Sequence, residues 1–388
     1  MTLLAALSRL VRNTVFKYET IAFVVAVLFL YSFVFHRDQL RTAFRRARVS
    51  VQNGRLNVLP NGRLPGRTPA TPSHDTNGRD SGPKQWELRK DNVAVYSIQG
   101  RRPRMEDRYD FVHDKNHSGV AMYGIFDGHG GAFAADFTEK LLSQSVMARV
   151  LQAILKEGKA NHSQILIEEI LALDEKFLTV ARSNNDVAGT TALVALLSGT
   201  ELTVANVGDS RGVMCDQEGR TVPLSFDHKP HLPQERKRIK KAGGFITFNG
   251  VWRVAGILAT SRAIGDYPLK DRKFVVADPD IQTFDLAECR PQFLILATDG
   301  LWDAFSNEEA VMYIKERLDE PHFGAKSIVL QAYYRGSLDN ITVMVLNFKA
   351  AVAEEPAAEA VANGKQPQQA QQAAPDNQPK QPARETEI

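Results

Sequence analysis

The sequence predicts an α+β fold, with antiparallel sheets and helices packed outside them, on three observations. Apolar strand-like runs open, centre and close one stretch of chain. The gaps between some neighbouring runs are of hairpin length, as at 198–201, and helical spacing does not alternate regularly with the strands. In order, strands are expected at 93–98, 120–126, 191–197, 202–207, 293–297 and 341–348, several ending in Gly or Asp. Helices are expected at 132–155, 163–182, 235–242, 307–318 and 324–334, where apolar residues recur at helical spacing.

The chain has 388 residues, 43% of them apolar, enough for a substantial core. A net charge of +3 says little about acidic partners, because the excess comes largely from an arginine-rich stretch near the N-terminus. Only Cys215 and Cys289 could form a disulfide, and neither stands at metal spacing, so both are read as small buried residues.

The N-terminal region differs in kind. Residues 21–35 form an uncharged apolar run, about 22 Å long as a helix, which Tyr18, Thr20 and His36 can lengthen at the interfaces. No small-residue cleavage site follows it, which argues against a signal peptide. An arginine-rich flank leaves no neighbouring fold to bury it as a core helix. A single transmembrane helix is therefore expected over 20–36, after an N-terminal flank of 1–19. Its short span suits the thinner endoplasmic reticulum membrane. Arg37, Arg41, Arg45, Arg46 and Arg48 outnumber the basic residues before it and place the bulk of the chain in the cytosol.

Residues 37–85 read as a basic flexible linker, 86–349 as one folded domain, and 350–388 as a disordered Ala/Gln/Pro-rich tail without an aromatic residue. Within the domain, acidic residues recur at turns that follow apolar runs: Met105-Glu106-Asp107, Asp127-Gly128-His129-Gly130-Gly131, Val207-Gly208-Asp209-Ser210, Thr298-Asp299-Gly300-Leu301-Trp302-Asp303 and Asp339-Asn340. Strand ends can gather such side chains into one cleft, and carboxylates without Cys or His partners suit hard cations. The glycines around His129 exceed what a turn needs and suggest close approach of backbone to a ligand.

With Gly100-Arg101-Arg102-Pro103-Arg104, Gly189-Thr190-Thr191 and Ser261-Arg262-Ala263-Ile264-Gly265-Asp266, these motifs stand in the order of the type 2C metal-dependent serine/threonine protein phosphatases, which the chain resembles across the domain. The N-terminal anchor and the stretches 235–239 and 320–326 bring it nearest to a membrane-anchored form. The resemblance implies an antiparallel β-sandwich flanked by α-helices, the type 2C phosphatase fold, with a two-metal centre at one end. It implies two Mg²⁺ or Mn²⁺ ions, with Asp127 bridging, the carbonyl of Gly128 and Glu106 on one ion, and Asp299 and Asp339 on the other. Asp209 and Asp303, with Asp299, match the positions that hold a weaker third ion in some members.

Arg102 matches the phosphate-binding arginine, a role in which the bidentate fork of Arg has no equivalent in Lys. His129 is the natural proton donor to the departing serine or threonine oxygen. The implied activity is hydrolysis of phosphoserine and phosphothreonine proteins, with components of stress-activated kinase cascades among the expected partners. The catalytic domain is expected to be a monomer. A membrane-tethered pseudophosphatase or phosphoprotein-binding scaffold is the alternative, disfavoured because none of the metal carboxylates is missing. The basic helix at 235–241 lacks interleaved aromatics, so nucleic acid is not an expected partner.

Overall fold

A computed structural model describes residues 84–114 and 119–349, all within one compact unit. The N-terminal flank, the span expected over 20–36, the linker up to residue 83 and the tail from 350 lie outside the described residues. Among the described residues no helix is long and apolar enough to cross a membrane. Gln85, one residue before the expected start of the domain, already pairs with Ile98.

The chain opens with the hairpin β1 (Gln85–Lys90) and β2 (Val93–Ile98), then β3 (Arg108–His113), β4 (Val120–Phe126) and the two-residue β5 (Gly128–His129). Two long helices follow, α1 (Phe133–Glu157) and α2 (His162–Asn184). Next come β6 (Gly189–Thr190), β7 (Ala192–Ser198), β8 (Glu201–Val207), β9 (Arg211–Cys215) and β10 (Thr221–Pro223). The chain then runs through α3 (Pro233–Lys241), the hairpin β11 (Ile246–Asn249) and β12 (Val251–Val254), β13 (Ile264–Gly265), α4 (Tyr267–Lys270), β14 (Asp280–Asp285) and α5 (Leu286–Cys289). It closes with β15 (Phe293–Ala297), α6 (Asp299–Trp302), α7 (Asn307–Lys315), α8 (Ala325–Tyr334) and β16 (Ile341–Asn347).

Two antiparallel sheets carry the fold, one of order β1-β2-β16-β15-β9-β10 and one of order β14-β8-β7-β4-β3. Alternation along each strand decides where its side chains go. On β2, Val93 and Val95 enter a core shared with Tyr123, Ile125, Leu193 and Ala195 of the second sheet. The intervening Ala94, Tyr96 and Ile98 pack outward with Ile328 and Val329 of α8. The second sheet repeats the scheme: Met122, Val194 and Leu196 face Leu142 and Val146 of α1 and Leu166 and Ile170 of α2. Both faces of the central strands are thus covered, which is why they read as unbroken apolar runs rather than alternating ones. The result is the expected α+β sandwich with helices outside.

All six expected strands and all five expected helices form, with bounds within a few residues. Helix ends carry their own signals. Asn161 caps α2 by accepting from Gln164 N at 3.1 Å, and Ser306 with Glu309 forms a capping box on α7. Of the cysteines, Cys215 is buried in β9, but Cys289, at the exposed end of α5, is only partly so, contrary to expectation. Both are free thiols.

Candidate metal centre and active site

A cleft of about 500 Å³ collects Arg102, Asp127, Gly128, His129, Asp209, Asp299 and Asp339, seven of the nine residues expected to form the site. Asp127 follows β4, Asp209 follows β8, Asp299 follows β15 and Asp339 precedes β16, so each carboxylate is placed by a strand end. Glu106 and Asp303 are not part of the cleft lining but stand close by. The Glu106 backbone packs against Gly128, Glu106 acts electrostatically on His129, and Asp303 acts on Asp299.

The loops that bear these groups are tied to one another. The side chain of Asn340 accepts from Glu106 N at 2.8 Å and donates to Gln99 O at 2.7 Å and Arg104 O at 3.0 Å, so the last carboxylate loop is bolted to the first. Gly100, at φ 60°, passes so close to the carbonyl of Asp339 that any Cβ there would overlap it. On the other side, Thr191 receives Asp127 N on its hydroxyl at 3.0 Å and returns its own N–H to Asp127 O at 2.9 Å. Beneath the site, Asp107 accepts from Thr298 at 3.0 Å and from Thr342 at 2.7 Å. The hydrogen-bond partners of the Gly-Thr-Thr and Asp-Asn motifs explain why they accompany the acidic ones.

His129 has a partner that sequence reasoning missed. Its Nε2 lies 2.8 Å from Asp266 Oδ2, and Gly189 passes so close that a Cβ there would collide with both. Asp266 is buried and itself holds the left-handed conformation, φ 56°. Burial alone would pull the imidazole pKa down, but the Asp266 carboxylate more than offsets it and holds His129 above its ordinary value. A signal was present: Ile264-Gly265-Asp266 repeats the apolar-Gly-Asp pattern of Val207-Gly208-Asp209.

Charge is unevenly compensated. Asp339 is paired with Arg102, and Asp209 with Lys229 at 2.5 Å, the latter a contact not anticipated from the motifs. Among the described residues neither Asp127 nor Asp299 has a cation within ion-pair distance. Asp127 is pushed well above the ordinary carboxylate range by burial, then by the charges of Asp299, Asp107 and Asp339. Asp299 is pushed up by burial and by Asp209, against the pull of Lys229. Asp303 is raised by burial with the same opposition, and Asp107 is raised by burial to about 7.

Among the described residues no three His, Cys, Asp or Glu groups are close enough together to enclose an ion. The chemistry of the donor set nevertheless fits hard divalent cations: the donors are all oxygen, they converge on one cleft, and two of the carboxylates lack the positive charge that would let them ionise there.

Residues 91–341 match the family model described as protein phosphatase 2C, and the chain belongs to that family of serine/threonine protein phosphatases, whose members are in general Mg²⁺- or Mn²⁺-dependent. It is 50% identical over 356 residues to Protein phosphatase 1L of Bos taurus, covering 90% of this chain and 96% of that one. It is 42% identical over 276 residues to Probable protein phosphatase 2C 59 of Arabidopsis thaliana, covering 71% and 85%. In fold it resembles the serine-threonine phosphatase 2C of Toxoplasma gondii, with a TM-score of 0.60 at 24% identity, covering 68% of this chain and 99% of that one. A C. elegans sex determining protein has a TM-score of 0.58 at 22% identity, covering 66% and 65%.

Proposed function

We propose that this phosphatase is anchored in a membrane, faces the cytosol and hydrolyses phosphoserine and phosphothreonine side chains at the cleft described above. The observation that carries the site assignment is the convergence of Asp127, Asp299, Asp339 and Asp209 on one cavity with Arg102 and His129. Two divalent ions held by Asp127, Glu106, the Gly128 carbonyl, Asp299 and Asp339, with a weaker third near Asp209 and Asp303, would supply an activated water and neutralise the phosphoryl group.

The side chains of the protein do the rest. Arg102, half-exposed at the cleft and paired with Asp339, swings its guanidinium onto the phosphate oxygens as a bidentate donor. His129 protonates the departing oxygen. With Nε2 engaged by Asp266, Nδ1 is the nitrogen that delivers the proton, and Asp266 stabilises the charged ring that precedes delivery.

The anchor rests on the apolar run at 21–35 and the arginines after it, and placement at the endoplasmic reticulum on the shortness of that run. Cytosolic phosphoproteins, components of stress-activated kinase cascades among them, are the proposed substrates.

Asp127→Ala in the full chain should lower Mn²⁺-dependent hydrolysis of a phosphothreonine peptide by on the order of a thousandfold with circular dichroism unchanged. Undiminished activity would overturn the site assignment. Carbonate extraction of membranes should leave the full chain in the pellet and release a chain lacking 20–36.

A further inference from the structure

Part of the cleft is unused by the chemistry above. Besides the carboxylates and a few other polar groups, its lining includes the apolar residues Val187, Ile257, Leu258, Pro268 and Leu269. A phosphorylated serine or threonine is short and engages only the charged part. The apolar part therefore adjoins whatever precedes or follows that residue in the substrate chain.

Two of these side chains are held in water. Val187 is 52% exposed and Ile257 64%. Single exposed aliphatic residues are ordinary on a protein surface, but two that line one cavity and are fixed by their backbones are not. Ile257 tops a turn closed from both sides, with Val254 N donating to Leu258 O at 2.8 Å and Ile257 N to Val254 O at 2.9 Å. The turn holds Ala255 at φ 50°, a conformation that L residues adopt only when their surroundings impose it. Arg253, which also lines the cleft, braces it by donating to Ile257 O at 2.7 Å. Val187 follows Asp186, whose carboxylate accepts from Ala188 N at 2.9 Å and whose own N–H is held by Ala181 O at 2.9 Å.

We propose that this wall is a side-chain subsite of the phosphatase, and that it takes an aliphatic residue within three positions of the phosphorylated serine or threonine in a protein substrate. The proposal rests on the reading of the cleft as a phosphatase site. Its support is continuity: the apolar wall and the carboxylates line one cavity, so an occupant of one half is covalently linked to the occupant of the other. Aliphatic surface is what two preplaced aliphatic side chains remove from water most favourably.

The test uses the full chain with Mn²⁺, p-nitrophenyl phosphate to establish turnover, and phosphothreonine peptides that carry Leu or Ser at each position from three before to three after the phosphorylated residue. At one flank or more the Leu peptide should exceed its Ser counterpart in kcat/KM by on the order of tenfold. In the Val187→Ser/Ile257→Ser variant that ratio should fall to near one, with each single variant losing part of it. Equal Leu and Ser rates at every flank, with p-nitrophenyl phosphate hydrolysed, overturn the subsite alone, as does a ratio that survives the double variant. Failure to hydrolyse any substrate, p-nitrophenyl phosphate included, overturns the phosphatase reading and the subsite with it.

Discussion

Asp127, Asp299 and Asp107 are costly residues for a protein to bury, and the cost has a pH signature. Each has a carboxyl pKa held above the ordinary value by burial, Asp107 at about 7. A carboxyl whose folded pKa exceeds its unfolded value of about 4 stabilises the fold fully below that value, and the contribution is lost as pH rises through the folded pKa. The metal-free protein should therefore become less stable between about pH 4 and 7. Because metal ligands must be deprotonated, Mn²⁺ should raise Tm more at pH 8 than at pH 5.5. Thermal scans with EDTA or Mn²⁺ at the two values check this, and a Mn²⁺ effect independent of pH would be inconsistent with it. Asp266→Asn keeps the shape but removes the charge that holds the His129 proton. It should slow phosphothreonine peptides by on the order of a hundredfold and p-nitrophenyl phosphate far less, since that leaving group departs without a proton. At this scale the sequence was a good guide to carboxylates, which sit in recognisable turns, and a poor one to Asp266 and Lys229. The Gly265-Asp266 turn has a visible pattern, but its contact with His129, 137 residues away, and that of Lys229 with Asp209 are made only by the fold.

The short elements β13 and α4 matter out of proportion to their length, because they flank and position Asp266. They are pinned from α2 by Asp174, whose carboxylate accepts from Gly265 N at 2.8 Å and from Lys270 Nζ at 2.7 Å on each oxygen, while the same ammonium donates to Ala263 O at 2.7 Å. Both partners of this ion pair are about nine-tenths shielded from water. Replacing one of them strands the other, so Lys270→Met should cost about 3 kcal/mol in urea unfolding. It should also slow phosphothreonine peptides selectively by misplacing Asp266. Elements with two buried faces were plain in the sequence because nothing polar interrupts them, as in β4 and β15. The strands that went unrecognised include β1, β3 and β14. They sit at sheet edges and carry charged residues such as Glu87, Arg108 and Asp280, so their strand character comes from pairing with a neighbour rather than from composition.

The described domain is closed by pairing between its early and late strands. β16 lies between β2 and β15, every one of its residues is buried, and Ile341 stands opposite Ile98. A chain of residues 84–349 should unfold cooperatively and retain Mn²⁺-dependent activity. Deleting 341–349 should abolish the cooperative transition, since it removes a central strand rather than an edge. Circular dichroism melts of the two chains decide the matter. The apolar central strands were legible in the sequence, whereas the pairing of distant strands was not, because register is set by side-chain packing across the two sheets. The same closure orders events during synthesis. Arg102 and Asp339, 237 residues apart, meet only when the final strand has been made. A truncated translation product that stops short of Asp339 should therefore release no phosphate, however completely its opening hairpin has formed.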